Sequence, residues 1–434
     1  MFCANCGTAC EPEFRFCKKC GAPVGAGAAA AGLQAVPMAA VPASQAPAAA
    51  PPPAMYQQPM YQQAAYYVSA QAHTLHQLNV LQSMRAKLQG LASTESLEGF
   101  SLTDMFSEVF KKRGAAAVED YILCGTSRTT PPIELVETGW PKPWLFFRVL
   151  AALVIAYVGL TFMFKLTGNT NCIPGMMFLG AFAVPMATLV LFFEWNTPRN
   201  VSVYAVAKLF LMGAVASLGV ALLGYALPIF DVSTMEAGVV EECAKLLTVV
   251  VIMRGVRYKY ILNGILFGAT VGAGFAAFET AGYALNEGLL QGLLPNLTRG
   301  VTQTAAMGDG VSAMLQLLLL RGIEAPLGHV AWTALAAGAF WRVKQDRPTN
   351  PSMLLSPSFL KAFAIPVAMH ALWDAPWQLP FSGNQILTGL ITWYVVFGLV
   401  QQGLKQVKAE QKAHMETTLM HVEAQLQPLG TVAV

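Results

Sequence analysis

The sequence predicts an all-α protein that crosses a lipid bilayer about eight times. Three observations carry that expectation. The chain of 434 residues is 55% hydrophobic and only 12% charged, against about 25% charged in a typical soluble domain. Apolar runs of spanning length recur from Trp144 onward. Lys and Arg gather in the short segments between alternate runs. The net charge of +3 is too small to argue for a nucleic-acid partner.

The runs fall at about 145–165, 174–194, 203–226, 236–254, 260–284, 323–342, 359–378 and 384–404. A weaker run, 301–320, contains Gln303, Asp309 and Gln316. Positive charge in short loops sets orientation. Lys142 and Arg148 flank the first run; Arg254, Arg257 and Lys259 follow the fourth. Arg342, Lys344 and Arg347 follow the 323–342 run, and Lys405, Lys408 and Lys412 follow the last. Eight crossings that start inside place all four clusters, and both termini, in the cytosol. A ninth crossing would put the Arg342 cluster outside. Residues 301–320 are therefore expected to form an interfacial or re-entrant segment on the outer face.

Ahead of the membrane region the composition changes three times. Residues 1–22 hold Cys3-x2-Cys6 and Cys17-x2-Cys20, with Gly7 and Gly21 after the pairs. Two such knuckles can close four thiolates around one structural zinc, a zinc ribbon whose metal supplies its folding energy. Thiolates of this kind persist in a reducing compartment. Cys10 breaks the symmetry and is not assigned as a ligand. The ribbon's basic residues are only Arg15, Lys18 and Lys19, which argues for docking a cytosolic protein rather than nucleic acid. Residues 23–72 are rich in Ala, Pro and Gln and read as a disordered linker. Residues 73–143 read as a small, mostly helical cytosolic region. One helix is expected through Leu75, Leu78, Leu81 and Met84, and another from Ser96–Glu98 toward Phe110, with 129–143 extended. Residues 144–405 form the membrane domain and 406–434 a cytosolic tail. No charged stretch followed by an apolar run opens the chain, so no cleaved secretory signal is expected.

The chemistry concentrates inside the apolar runs, where charge is costly and marks a functional site by default. Glu241, Glu242 and Lys245 sit within the run Met235–Met253. Glu241 and Lys245 are four apart and can pair, which would leave Glu242 free for another task; the alternative is a structural ion pair of Glu242 with Lys245. With the topology above, Glu241, Glu242, Glu279, His329, His370 and Asp374 all reach the outer half of the bilayer, from four separate helices. Asp374 shares a helical face with His370. Residues Gly264, Gly268, Gly272, Ala276, Thr280 and Ala284, each four apart, form a small-residue stripe that lets a neighbouring helix approach closely. Two imidazoles and several carboxylates on an apolar background suit either a catalytic metal or a water activated by a Glu–His pair. The HExxH spacing of zincins is absent, so the two stay open. His329 and His370 are the candidate ligands of a catalytic zinc.

The membrane region resembles the PrsW family of intramembrane proteases, distantly related to the CAAX-processing and bacteriocin-processing membrane proteases. Glu241–Lys245 (EECAK) is similar to the family's EExxK motif, and Gly274–Glu279 (GFAAFE) to its FAxxE motif. Arg321, Pro326 and His329 resemble its R…P..H segment, and His370–Asp374 (HALWD) its HxxxN/D motif. Asp374 stands where Asn is common, Thr280 where Asn often follows the Glu, and 285–320 is unusually long. The resemblance implies an intramembrane endopeptidase of a bacterial cytoplasmic membrane that clips membrane-anchored proteins near the outer leaflet, anti-sigma-type factors among them. It implies Glu241 or Glu242 as water-activating base and His329 and His370 as metal ligands or oxyanion donors, with Glu279 and Asp374 orienting them. Both metallo- and glutamic-type chemistry fit the motifs. The competing readings are a non-catalytic, immunity-type membrane scaffold whose ribbon recruits a cytosolic partner, and a proton-coupled transporter. A transporter would want an internal repeat, and none is visible.

Overall fold

A computed structural model describes Gly90 and residues 97–227, 236–255, 257–299 and 302–426. The four zinc-ribbon cysteines, the 23–72 linker and the helix expected at Leu75–Met84 lie outside these residues. Among the described residues every regular element is helical. Two short helices, α1 (Leu102–Met105) and α2 (Ala115–Ile122), precede the membrane region. It consists of α3 (Leu145–Thr167), α4 (Cys172–Trp195), α5 (Val203–Tyr225), α6 (Ala237–Ile252), α7 (Ile261–Tyr283), α8 (Gln291–Thr298), α9 (Gln303–Glu324), α10 (His329–Lys344), α11 (Pro357–Trp373) and α12 (Gly383–Leu426).

All eight expected runs are helical. Among the described residues, six helices are long and apolar enough to cross a membrane by length and composition: Leu145–Thr167, Cys172–Trp195, Val203–Tyr225, Ile261–Thr298, Ala305–Lys344 and Gly383–His421. The other two, α6 with 16 residues and α11 with 17, are shorter. At 1.5 Å per residue they reach only about 24 Å and 26 Å. Both carry ionisable side chains, Glu241, Glu242 and Lys245 on α6 and Lys361 and His370 on α11. The outer sides of α3 and α5 present bare apolar residues such as Ile155, Phe162, Val215 and Leu223, as a lipid-facing surface requires.

The core is built around α7, buried almost end to end. Its small-residue stripe does what its spacing implies. A Cβ on Gly268 would overlap the carbonyl of Thr333, and one on Gly272 the carbonyl of His329; one on Gly264 would meet Trp341. The pairing order shows that α7 and α10 are antiparallel with backbones in contact. Trp341 Nε1 donates to Tyr258 O at 2.9 Å, and Thr349 Oγ1 to Arg254 O at 3.1 Å. The basic clusters after α6 and after α10 therefore share one end of the bundle.

Of the segment expected to be interfacial or re-entrant, 301–320, residues 303–320 are helical. They belong to α9, which runs in the same direction as α10 and joins it through one 3-10 turn, Ala325–Leu327. Beyond α7 the chain continues through a π-helical stretch, Ala284–Leu290, into α8. Then α9 returns beside it. A Cβ on Gly288 would lie 2.7 Å from Met314 Cα, and one on Gly292 2.8 Å from Gly310 Cα. Asn296 Nδ2 donates to Asp309 Oδ2 at 2.9 Å. Small residues and a polar bridge thus pair two helices that extend the α7/α10 hairpin, and Asp309 of the weak run faces this partner.

Three further boundaries depart from the sequence reading. The helix expected from Ser96 toward Phe110 is only the four-residue α1, capped by Ser101, whose Oγ accepts from Asp104 N at 3.3 Å. α2 was not anticipated, and a 3-10 turn at Ile133–Leu135 interrupts the extended 129–143 stretch. No helix end falls at 405, because α12 continues to Leu426 as one 44-residue rod. Gln411 Nε2 on that rod donates to the carbonyls of Ile133, Glu134 and Val136 at 3.0–3.1 Å. The residues before α3 also lock onto the bundle end. Glu194 at the end of α4 accepts from the backbone N–H groups of Trp144, Leu145 and Phe146 at 2.7–2.9 Å. A carboxylate there satisfies the orphan donors and complements the helix dipole. Tyr121 of α2 donates to the same carboxylate at 3.2 Å. Burial and the Glu194 charge push its phenol well above its ordinary range.

Candidate active site

Four helices meet at the end of the bundle opposite the basic clusters and bring together the six residues singled out in the sequence: five line one pocket, and Glu242 is buried against His370. α7 ends there because its starting point, Ile261, lies at the basic end. Glu279 is 18 positions further on, about 27 Å along the axis. The stripe on α7 fixes how close α10 comes, so it places His329 beside Glu279. α6 and α11 cross nearby, because Gly238 abuts the α11 backbone at Val367 and Ala371. This sets Glu241 and Glu242 against His370.

The hydrogen bonds define the site. His370 Nδ1 donates to Glu242 Oε1 at 2.9 Å. Glu242 is fully buried, and its Oε1 also lies 2.6 Å from Lys245 Nζ. Lys245 is therefore closer to Glu242 than to Glu241, whose Oε2 is 3.6 Å away. Of the two pairings the sequence left open, Glu242–Lys245 is the closer. Residues three apart also share a helix face, and the carboxylate without solvent exposure has the greater need of a cation. Glu241 instead faces the pocket. Tyr225 donates to its Oε1 at 2.9 Å, while its buried Oε2 has no hydrogen-bond partner. Glu242 Oε2 is a second such orphan.

His329 is held on both sides. Lys245 Nζ lies 2.9 Å from Nδ1. An ammonium has only protons to give, so Nδ1 accepts and Nε2 carries the hydrogen. Nε2 then donates to Glu279 Oε2 at 3.0 Å. Arg321 Nη2 donates to that oxygen at 2.6 Å, and Arg321 Nε to Thr280 Oγ1 at 3.0 Å. The imidazoles are clamped by aromatic rings. Trp332 stacks on His370 with centroids 4.5 Å apart, and Phe275 lies 5.2 Å from His329. Lys245 Nζ sits 4.5 Å above the Phe275 ring, a cation–π contact.

With Nδ1 donating to Glu242, the lone pair of His370 is on Nε2. That nitrogen faces Asp374 Oδ2 at 3.2 Å and Glu241 Oε2 at 3.8 Å. Three acceptors facing one another need a proton or a metal between them. Glu241 Oε2 is also 3.9 Å from His329 Nδ1. Glu241, His329 and His370 each offer one ligand atom, all within 4.8 Å of one another. Bonds of about 2.0–2.1 Å to a shared zinc-like ion need only small side-chain movements from that spacing. Charge agrees with this fit. Among the described residues, five carboxylates, Glu241, Glu242, Glu279, Glu324 and Asp374, gather here against two Lys or Arg side chains, Lys245 and Arg321, so the site is rich in anionic donors. The donor set therefore suits a divalent ion.

The pocket encloses about 470 Å³. Its polar end is lined by Glu241, Glu279, Arg321, His329, His370 and Asp374, and its apolar end by Leu218, Ala221, Leu222, Phe275 and Trp373. Tyr225 is part of the wall and was missed from the sequence. It lies on a different helix from Glu241, so no spacing within one helix linked the two. Trp332 was missed because an aromatic in an apolar run carries no signal of its own.

The arrangement agrees with what known proteins show. The profile described as PrsW family intramembrane metalloprotease matches residues 175–400, which spans α4 to the middle of α12 and contains every residue of the pocket. No curated protein and no solved structure matches the chain. With more than half of its length covered, the chain belongs to the PrsW family of intramembrane metalloproteases and is a membrane protease.

Proposed function

We propose that Glu241, His329 and His370 hold the catalytic metal of an endopeptidase that cleaves membrane-anchored proteins. The observation that carries this reading is the buried, unbonded Glu241 Oε2 lying 3.8–3.9 Å from a nitrogen of each histidine. When bound, a divalent metal supplies a Lewis acid that lowers the pKa of a coordinated water and polarises the scissile carbonyl.

Every other task falls to the chain. Glu242 accepts the Nδ1 proton of His370 and so presents Nε2 to the pocket, the usual carboxylate–histidine arrangement. It is fully buried and occupied by Lys245, so it orients and does not react. Glu279 does the same for His329, taking the Nε2 proton and leaving Nδ1 as the ligand nitrogen in place of its contact with Lys245. Arg321 neutralises Glu279. Of the remaining pocket carboxylates, Glu324 and Asp374, the one that lies against His370 Nε2, at 3.2 Å, is Asp374. It is 32% exposed, against 16% for Glu279 and 9% for Glu241. It has no Lys or Arg partner among the described residues. We assign Asp374 to take the proton of the attacking water and deliver it to the departing amine. The aromatic clamp keeps bulk water from the imidazoles.

The substrate is a protein with a membrane anchor, cut near the bilayer surface at the end of the bundle away from the basic clusters. By the positive-inside rule that surface is the outer one and both termini are cytosolic. An anti-sigma-type regulator fits this description. The N-terminal residues 1–22 form a zinc ribbon that docks a cytosolic protein, joined by the 23–72 linker and the 73–143 region to the protease domain 144–405 and the 406–434 tail. Reconstitution in liposomes with single-span substrates tests the reading. Clipping should stop with Glu241→Gln, His329→Ala or His370→Ala while insertion persists. It should also stop with chelator, both in the parent protein and in a Cys3→Ser, Cys17→Ser variant whose ribbon is already disabled. Chelator-resistant clipping would sink the metal and leave Glu241 Oε2 as a base acting on water directly.

A further inference from the structure

Glu241 has two chemically equivalent oxygens, and one hydrogen bond makes them different. That bond comes from Tyr225, the last residue of α5, whose hydroxyl donates to Oε1 at 2.9 Å. Oε2 is left unbonded toward the two imidazoles. We propose that Tyr225 is a positioning residue that commits Glu241 to offering Oε2 to a divalent metal shared with His329 and His370. The inference rests on the metal reading above.

The tyrosine is itself held. Its ring packs on a small apolar cluster of Ala221, Val240, Ala244 and Phe275, and only the hydroxyl reaches the polar end of the pocket. A tyrosine loses little conformational entropy when fixed in this way, because it has two side-chain torsions. No other hydrogen bond to Glu241 occurs among the described residues. Its nearest cation, Lys245 at 3.6 Å, is already engaged by Glu242 at 2.6 Å. Without the hydroxyl the carboxylate is free to turn toward Lys245 and withdraw from the histidines. Tyr225→Phe keeps the ring and its packing and removes only this constraint.

The test is a Co²⁺ titration of the full-length protein. The d–d absorption reports a nitrogen–oxygen site, and thiolate charge-transfer bands report the N-terminal cysteines separately. Tyr225→Phe should weaken the nitrogen–oxygen site by about 10–100-fold, the range for groups that hold metal ligands from behind. It should lower kcat by a similar factor with KM nearly unchanged. Leu223→Ala, on the lipid-facing side of α5, should leave the affinity as in the parent and controls for loss of packing. Affinity and kcat within about twofold of the parent in Tyr225→Phe would overturn this inference alone. A parent protein with no nitrogen–oxygen Co²⁺ site would overturn the metal reading and this inference together.

Discussion

His370 Nδ1 lies 2.9 Å from Glu242 Oε1, and the carboxylate that makes this contact has no solvent exposure. The pair joins α6 to α11. A buried carboxylate is tolerated only if charge and hydrogen bonds compensate it, and here His370 and Lys245 together do so.

Removing that charge should therefore be felt twice. Glu242→Gln keeps the shape but leaves the Lys245 ammonium short of its closest counter-charge and frees His370 to change tautomer. Metal affinity should fall by about 10–100-fold, and breaking the buried pair should cost on the order of 3–5 kcal/mol of stability. Thermal unfolding in detergent and Co²⁺ titration measure the two effects. A variant as stable and as tightly metal-bound as the parent would show that the contact is incidental.

Arg321 grips Glu279 and Thr280 at once. A lysine can supply the charge but not the two-pronged geometry. Arg321→Lys should consequently lose most of the clipping activity, and Arg321→Ala all of it. Equal activity of the lysine variant and the parent would contradict a directional role for the guanidinium.

The close approach of α7 to α10 makes a sharp comparison between two glycines. A Cβ at Gly268 would overlap the Thr333 carbonyl, whereas at Gly282 nothing lies within 4 Å. Gly268→Ala should cost about 1–3 kcal/mol through overpacking and move His329 away from Glu241. Gly282→Ala should be neutral or slightly stabilising. Thermal unfolding of the two variants side by side decides the matter, and comparable losses in both would rule out the packing argument.

The course of the chain through α9 and α10 predicts which segments share a side. In a background lacking the eight native cysteines, cysteines at Arg254 and Asp346 should react with an impermeant maleimide from one side of the membrane. A cysteine at Asn169 should react from the other. Labelling of the Asp346 position on the Asn169 side would mean that α9 is a separate crossing.

The sequence determined by itself that this chain is a helical membrane protein, because hydrocarbon solvates no backbone hydrogen bond and tolerates few charges. The exceptions to that apolar rule, Glu241, Glu242, Glu279, His329, His370 and Asp374, stood out for the same reason, and the four-residue small stripe already marked the face where α7 meets α10. What only the tertiary structure decided was the partnership among these groups. Spacing along one helix allowed Lys245 either glutamate, and burial against α10 and α11 selected Glu242. The hydroxyl of Tyr225 reaches Glu241 from another helix, and α9 is joined to α10 by a single 3-10 turn. Such contacts depend on distances between helices, and a periodic pattern within one helix carries no information about them.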